Sequence, residues 1–315
     1  MSRFHRAIYL TGPTAVGKTA LAVALARKLD AEVVALDSMT LYRRMNIGTA
    51  KPSVEERGGI PHHLIDVLEP SESSSVADYR RWALEVLDQI EARGRRVLFV
   101  GGTALYLKAL MRGLFEGPKG DPELRAALER EAERDGPIAL HDRLRGVDPK
   151  SADRLHPNDL RRVIRALEVV ETSGRTLSHH QVEHDHPAPS NVAVFALERP
   201  REVIRERIDR RVEQMFAQGL VEEVRGLIAE VPPISPVAAQ GVGYKEVIDL
   251  LSGQVDQAIA IDRTQARTRQ FAKRQATWFR GLLEVKPFPL ESDEPVEATV
   301  DRLARQVDAL ALREN

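Results

Sequence analysis

Ala7-Ile8-Tyr9-Leu10 runs almost directly into Gly12-Pro13-Thr14-Ala15-Val16-Gly17-Lys18-Thr19, and Ala20-Leu21-Ala22-Val23-Ala24-Leu25-Ala26 follows. The first stretch is a short apolar run with β-branched and aromatic members, the pattern of a buried strand. The second fits G-x-x-x-x-G-K-[ST], a phosphate loop. The third is rich in helix formers. Strand, glycine loop and helix together give the motif its meaning. Gly12 and Gly17 let the backbone bend so that N–H groups point inward at an anion. The helix N-terminus adds a partial positive charge and Lys18 a full one. The Thr19 hydroxyl can hold a Mg²⁺ that bridges phosphate oxygens. The loop implies a diphosphate or polyphosphate ligand without choosing between them.

Working outward, Ala31-Glu32-Val33-Val34-Ala35-Leu36 reads as a second strand, ending on Asp37-Ser38-Met39-Thr40. Strand, helix and strand in about 30 residues make a βαβ unit, and hence a parallel sheet. Ligands of such sheets lie beyond the carboxyl ends of the strands, so Asp37 is expected to face the phosphate loop. The competing reading is a helix N-cap, and spacing alone does not choose. Asn46–Pro52 and Pro61–Asp66 read as loops. His62 and His63 have no third ligand at helical or hairpin spacing, which favours hydrogen bonding over metal. Val76–Ala92 is helically periodic. Arg95-Arg96-Val97-Leu98-Phe99-Val100 is another strand, and it ends on Gly101-Gly102-Thr103. Those glycines are expected to allow close backbone approach to a ligand. Thr103 either serves that site or caps a helix starting near Leu105, and the two roles are compatible.

From Gly113 to Gly120 three glycines and a proline mark a boundary. Helices are then expected at Pro122–Arg134, Ile138–Arg145 and Asn158–Thr172. They break the βαβ rhythm and define an inserted helical domain. Arg161, Arg162 and Arg165 follow His156-Pro157-Asn158-Asp159 in the first turns of the third helix. Positive charge there opposes the dipole; an external anion or simple solvation accounts for it. Ser178–Ser190 reads as a linker, Asn191–Leu197 as a core strand, and Pro200–Arg211 as an arginine-rich helix. On that helix Arg207 and Arg211, four apart, share a side. Gln240-Gly241-Val242-Gly243-Tyr244-Lys245 is a turn before another helix. The last long helix, Val255–Leu283, carries Arg263, Arg267, Arg269, Lys273, Arg274 and Arg280, with no acid from Arg263 to Arg280. Phe271, Trp278 and Phe279 are interleaved, which favours contact with a phosphate backbone over a merely solvated face. From Lys286 onward a loose segment and a closing helix are expected.

Composition sets the outer bounds. The 315 residues carry a formal charge of −1, so any nucleic-acid surface is local. With no cysteine the chain makes no disulfide or zinc–thiolate site, and it fits a reducing cytosol. No apolar run approaches the roughly 20 residues of a membrane span. The basic start, Arg3, His5 and Arg6, precedes too short an apolar run for a signal peptide.

The phosphate loop, Asp37-Ser38-Met39-Thr40-Leu41-Tyr42, Met45–Pro52, Pro61–Asp66, Gly101-Gly102-Thr103, His156–Asp159, Gly243-Tyr244-Lys245 and Thr268–Gln275 before Thr277-Trp278 form an ordered series. Over nearly its whole length the chain resembles the bacterial tRNA dimethylallyltransferases, the isopentenyl-tRNA transferases. The resemblance implies an α/β fold, a P-loop-type parallel β-sheet core flanked by helices, with an inserted all-helical domain. Residues 1–114 and 191–315 would form the catalytic core with its basic C-terminal helices. Residues 115–190 would form the insertion, which contacts tRNA and moves to clamp the anticodon stem-loop. The implied reaction moves a dimethylallyl group from dimethylallyl diphosphate, with Mg²⁺, to N6 of the adenosine immediately 3′ of the anticodon. In that family the phosphate loop holds the diphosphate leaving group.

By the same resemblance Asp37 is the general base for the adenine amine. Thr19, Thr103 and Arg211 surround the diphosphate and reacting centre, and Thr19 serves the metal. Implied tRNA contacts are Asp37, Ser38, Met39, Thr40, Thr103, Arg125, Arg161, Arg162, Val163, Ile164 and Arg165. Further along they are Gly241, Val242, Gly243, Tyr244, Lys245, Lys273, Arg274, Gln275, Trp278 and Arg280. A cytoplasmic monomer with no membrane contact is expected. Val16, Thr40 and Ala104 stand where the family often has serine, glutamine and glycine, and Thr40 bears on how a flipped adenine is held. The alternatives are an adenylate isopentenyltransferase of cytokinin type, an ATP-binding P-loop kinase, and a non-catalytic RNA-binding protein.

Overall fold

The first apolar run becomes β1 (Ile8–Thr11), all four residues of it buried. It lies inside a six-stranded sheet with β2 (Ala31–Ala35), β3 (His62–His63), β4 (Arg96–Val100), β5 (Ala193–Glu198) and β6 (Lys286–Pro289). The order is β3-β2-β4-β1-β5-β6 and every pairing is parallel. Parallel strands need crossover helices, which cover both faces of the sheet; hence the continuous apolar runs at its centre. This computed structural model describes residues 3–113, 117–118, 120–183, 187–291 and 294–312.

The helices are α1 (Lys18–Lys28), α2 (Val76–Ala92), α3 (Ala104–Arg112), α4 (Pro122–Asp135), α5 (Pro137–Val147), α6 (Pro149–Arg154) and α7 (Leu160–Ser173). They continue as α8 (Leu177–Glu183), α9 (Arg201–Ala217), α10 (Leu220–Ile228), α11 (Pro236–Ala239), α12 (Tyr244–Leu251), α13 (Gln257–Arg280) and α14 (Val296–Ala311). Among the described residues none is long and apolar enough to cross a membrane. The chain divides into two compact units, Met1–Met111 with Pro187–Asn315, and Arg112–His186. The expected boundary at 114/115 falls on residues outside those described. Each unit has its own core: one centred on the sheet, the other built from Leu128, Leu140, Leu144, Val163 and Leu167 of α4, α5 and α7.

Several expectations need correction. The Pro61–Asp66 loop contains a strand, β3, too short and polar to signal itself, paired to Val33 and Val34. The loose segment after Lys286 contains β6, whose Pro287 and Pro289 read as breakers. An edge strand tolerates them, because one side of its ladder is unpaired. Phe288 is buried there beneath the Arg302 guanidinium, 4.0 Å from its ring centroid. The supposed linker after Ser178 begins as helix α8. The helix read as Pro200–Arg211 runs on to Ala217.

Candidate active site

The phosphate loop joins β1 to α1. Gly12 has φ +133°, and a Cβ there would lie 2.7 Å from the Leu197 carbonyl oxygen, so only glycine fits. Cations from outside hold the loop's carbonyls. Arg207 Nε donates to Ala15 O at 2.7 Å and Arg199 Nε to Val16 O at 3.0 Å. The backbone N–H of Thr14 donates to Gln275 Oε1 at 2.9 Å, and Arg211 Nη1 to Thr14 Oγ1 at 3.5 Å. α1 starts at Lys18, so its first N–H groups, which have no intrahelical acceptor, lie beside the loop. Lys18 Nζ donates to the carbonyls of Gly12 and Pro13 at 2.9 and 2.8 Å. Burial pulls its ammonium pKa down to about 8; Asp37 opposes that shift and Arg211 adds to it. The mutual effect of Lys18 and Asp37 puts the loops after β1 and β2 within electrostatic reach.

Asp37 begins no helix. Its Oδ1 accepts from Met39 N at 2.9 Å, a local turn bond. The N-cap alternative therefore falls. Burial pushes its carboxyl pKa up, against the Met39 N–H, the Lys18 charge and the Thr40 N–H. Thr103 grips the same edge: its N–H donates to Leu36 O at 3.1 Å and its Oγ1 accepts from Ser38 N at 3.1 Å. Gly101 and Gly102 serve this packing. A Cβ on Gly101 would lie 2.1 Å from Leu36 O, and one on Gly102 2.2 Å from Gln275 Nε2. Because β4 lies between β1 and β2, the three loops that carry Lys18, Asp37 and Thr103 are neighbours at the carboxyl edge of the sheet.

The residues mapped to tRNA divide by exposure. Lys273, Arg274, Trp278 and Arg280 are exposed on one stretch of α13. Gln275 and Tyr244 are buried. Tyr244 donates its hydroxyl to Glu223 Oε1 at 2.6 Å, and the same carboxylate accepts N–H groups of Asn46 and Ile47 at 2.9 and 2.8 Å. That anchors the loop following Asp37–Thr40. Lys245 pairs with Asp249 at 3.1 Å. Two α13 bases that looked uncompensated have acidic partners elsewhere: Arg267 meets Glu246 and Arg269 meets Asp209. In the smaller unit Val163 and Ile164 are buried core residues. Arg125 and Arg165 both pair with the buried Glu168, at 3.0 and 2.6 Å. Arg161 is exposed, and Arg162 pairs with Asp159 at 3.1 Å.

His63 Nε2 lies 2.6 Å from Glu32 Oε2, and His62 Nδ1 2.8 Å from Ile60 O. No group of three His, Cys, Asp or Glu residues that could hold a metal exists among the described residues. The pair thus does the hydrogen bonding expected of it. A groove of about 1190 Å³ touches the phosphate loop only at Pro13, between β5, β6, α9 and α13. Its lining sets Arg199, Arg201, Arg205, Arg269, Lys273 and Arg280 against Glu198 and Glu202, a basic balance that suits a polyanion. Sequence reading missed Arg199 and Glu223. Arg199, just past the carboxyl end of β5, carried the better signal.

The model of the IPP transferase family matches residues 40–282. The chain is 42% identical over 299 residues to a tRNA dimethylallyltransferase of Pelotomaculum thermopropionicum, covering 95% of each. It is similar to the full-length tRNA isopentenylpyrophosphate transferase of Bacillus halodurans, at 39% identity and TM-score 0.72, covering 98% of this chain and 99% of that one. A eukaryotic dimethylallyltransferase, solved acting on tRNA, aligns at 27% identity and TM-score 0.80, covering 98% of this chain and 80% of the other.

Proposed function

The chain belongs to the IPP transferase family, and from that premise we propose that it transfers a dimethylallyl group from dimethylallyl diphosphate to tRNA, at N6 of the adenosine immediately 3′ of the anticodon. The observation that carries this reading is the meeting of a phosphate loop with a half-buried, partly desolvated carboxylate at one edge of the sheet. A kinase also needs such a loop. The exposed bases of α13 and the groove beside them favour an RNA acceptor over a small metabolite.

The chemistry is an alkyl transfer. The bond between the allylic carbon and the diphosphate oxygen breaks as the bond from N6 to that carbon forms. Diphosphate leaves with the electron pair, and one amine proton goes to Asp37. An exocyclic adenine amine is a poor nucleophile, because its lone pair is delocalised into the ring. Asp37, its affinity for a proton raised by burial, orients the amine and accepts that proton. Lys18 and Arg211 neutralise charge as it builds on the leaving group. Thr103 holds the Asp37 loop through Ser38 N. To reach a half-buried carboxylate between two loops, the target base must leave its stack.

Mg²⁺ suits the donor set. The loop offers two protein hydroxyls, Thr14, which meets Arg211, and Thr19, which is exposed, and no carboxylate cage surrounds them among the described residues. Thr19 would hold Mg²⁺ together with substrate phosphate oxygens, and the ion would supply screening of their charge. Incubation with unmodified tRNA and labelled dimethylallyl diphosphate tests the function. Digestion to nucleosides should put the label on one N6-alkylated adenosine, and label that stays with the donor would refute it.

A further inference from the structure

Gln275 falls in the stretch of α13 that the resemblance maps to tRNA, yet its side chain is turned inward and is only 5% exposed. Its amide makes two bonds. Oε1 accepts from Thr14 N at 2.9 Å, and Nε2 donates to Gly102 O at 2.8 Å. The orientation of the amide is unambiguous, because a backbone N–H needs an acceptor and a carbonyl a donor. Thr14 belongs to the phosphate loop, and its hydroxyl meets Arg211 at 3.5 Å. Gly102 precedes Thr103, whose hydroxyl accepts from Ser38 N beside Asp37 at 3.1 Å. One buried side chain therefore spans the loops after β1 and β4, and through Thr103 it reaches the loop after β2. The seat is cut to fit: a Cβ on Gly102 would come within 2.2 Å of Nε2.

We propose that Gln275 is a positioning residue that sets the spacing between the phosphate loop and the edge carrying Thr103 and Asp37. The loops it joins are those that would present the diphosphate and the adenine amine to each other. A small error in that spacing puts the reacting atoms out of line, and misplacement of about 1 Å can cost roughly 10²-fold in rate. Gln275 also shares α13 with the exposed Lys273 and Arg274, so the same helix bears the basic face and the clamp. The inference rests on the proposed transfer reaction.

Two full-chain variants test it. Gln275→Met keeps an unbranched chain and removes both bonds. Gly102→Ala leaves α13 untouched and puts a methyl in the seat, so the test survives if one variant does not fold. Four quantities are compared: turnover at saturating tRNA, KM for dimethylallyl diphosphate, Kd for tRNA, and Kd for pyrophosphate with Mg²⁺ by calorimetry. The expected result is turnover lower by roughly 10–100-fold, weaker pyrophosphate binding and an unchanged tRNA Kd. The double variant should be no worse than the poorer single one, since both act on one interaction. Weakened tRNA binding with normal turnover at saturation would make Gln275 an RNA contact and overturn the proposal. So would wild-type values throughout. Wild-type protein that transfers nothing would refute the function instead, while the pyrophosphate measurement would still decide whether Gln275 clamps the loop.

Discussion

At the scale of single residues the site brings two half-buried opposite charges, Lys18 and Asp37, within electrostatic reach, each shifted toward neutrality by desolvation. The pair sets the pH profile. Asp37 must be ionised to take a proton, so kcat/KM rises with pH through a value above that of an ordinary aspartate. Lys18 must be protonated to hold the diphosphate, so kcat/KM falls as pH passes about 8. A rate profile in Lys18→Arg should lack that alkaline limb, because a guanidinium stays charged; persistence of the limb would exclude Lys18 as its source. Asp37→Asn keeps the shape and loses the base. It should lower turnover by roughly 10²–10⁴, the scale of general-base loss, with tRNA affinity nearly intact; rapid-quench single turnovers beside filter binding measure both. The position of Asp37 was legible, because a strand followed by an acid has a defined place in a parallel sheet. Its freedom from a capping role was not, since only the backbone after Met39 shows that no helix starts there.

Among elements, α13 shows best what a one-dimensional pattern can miss. The sequence from Arg263 to Arg280 holds no acid, but α12 supplies Glu246 to Arg267 and α9 supplies Asp209 to Arg269. Such partners are long-range, so charge counting along a helix overstates the free patch. The consequence is measurable. Lys273→Glu should reduce the salt dependence of tRNA binding, by about one in the logarithmic slope for each phosphate no longer neutralised. Arg269→Glu should act more through stability, since it sets an acid against Asp209 and lowers the melting temperature; equal effects of the two on the slope would contradict this. α9 carries the loop's outer support. Arg207→Met removes a cationic hydrogen bond to Ala15 O, an interaction worth roughly 1.5–3 kcal/mol before allowance for solvent screening. It should weaken pyrophosphate binding and leave tRNA binding unchanged, as calorimetry and filter binding would show. The strands β3 and β6 escaped sequence reading for ordinary reasons: one is two residues long, and the other carries two prolines that only an edge position tolerates.

For the whole molecule the decisive feature is strand order. The βαβ rhythm made a parallel sheet legible, but not that β4 would lie between β2 and β1 and so bring three loops to one edge. The break in that rhythm after α3 was legible too, as a second unit of helices with its own core. Phosphate loops serve nucleotide chemistry more often than alkyl transfer, so the central claim is that this one holds a leaving group. The most direct test offers the protein both chemistries at once. It would receive unmodified tRNA, free AMP, dimethylallyl diphosphate labelled in the prenyl group and ATP labelled at the γ-phosphate, with Mg²⁺. The expected result is prenyl label on tRNA alone, with no phosphate transferred to RNA or nucleotide. Prenyl label on AMP rather than tRNA, or γ-phosphate on any acceptor with no prenyl label on RNA, would contradict that claim.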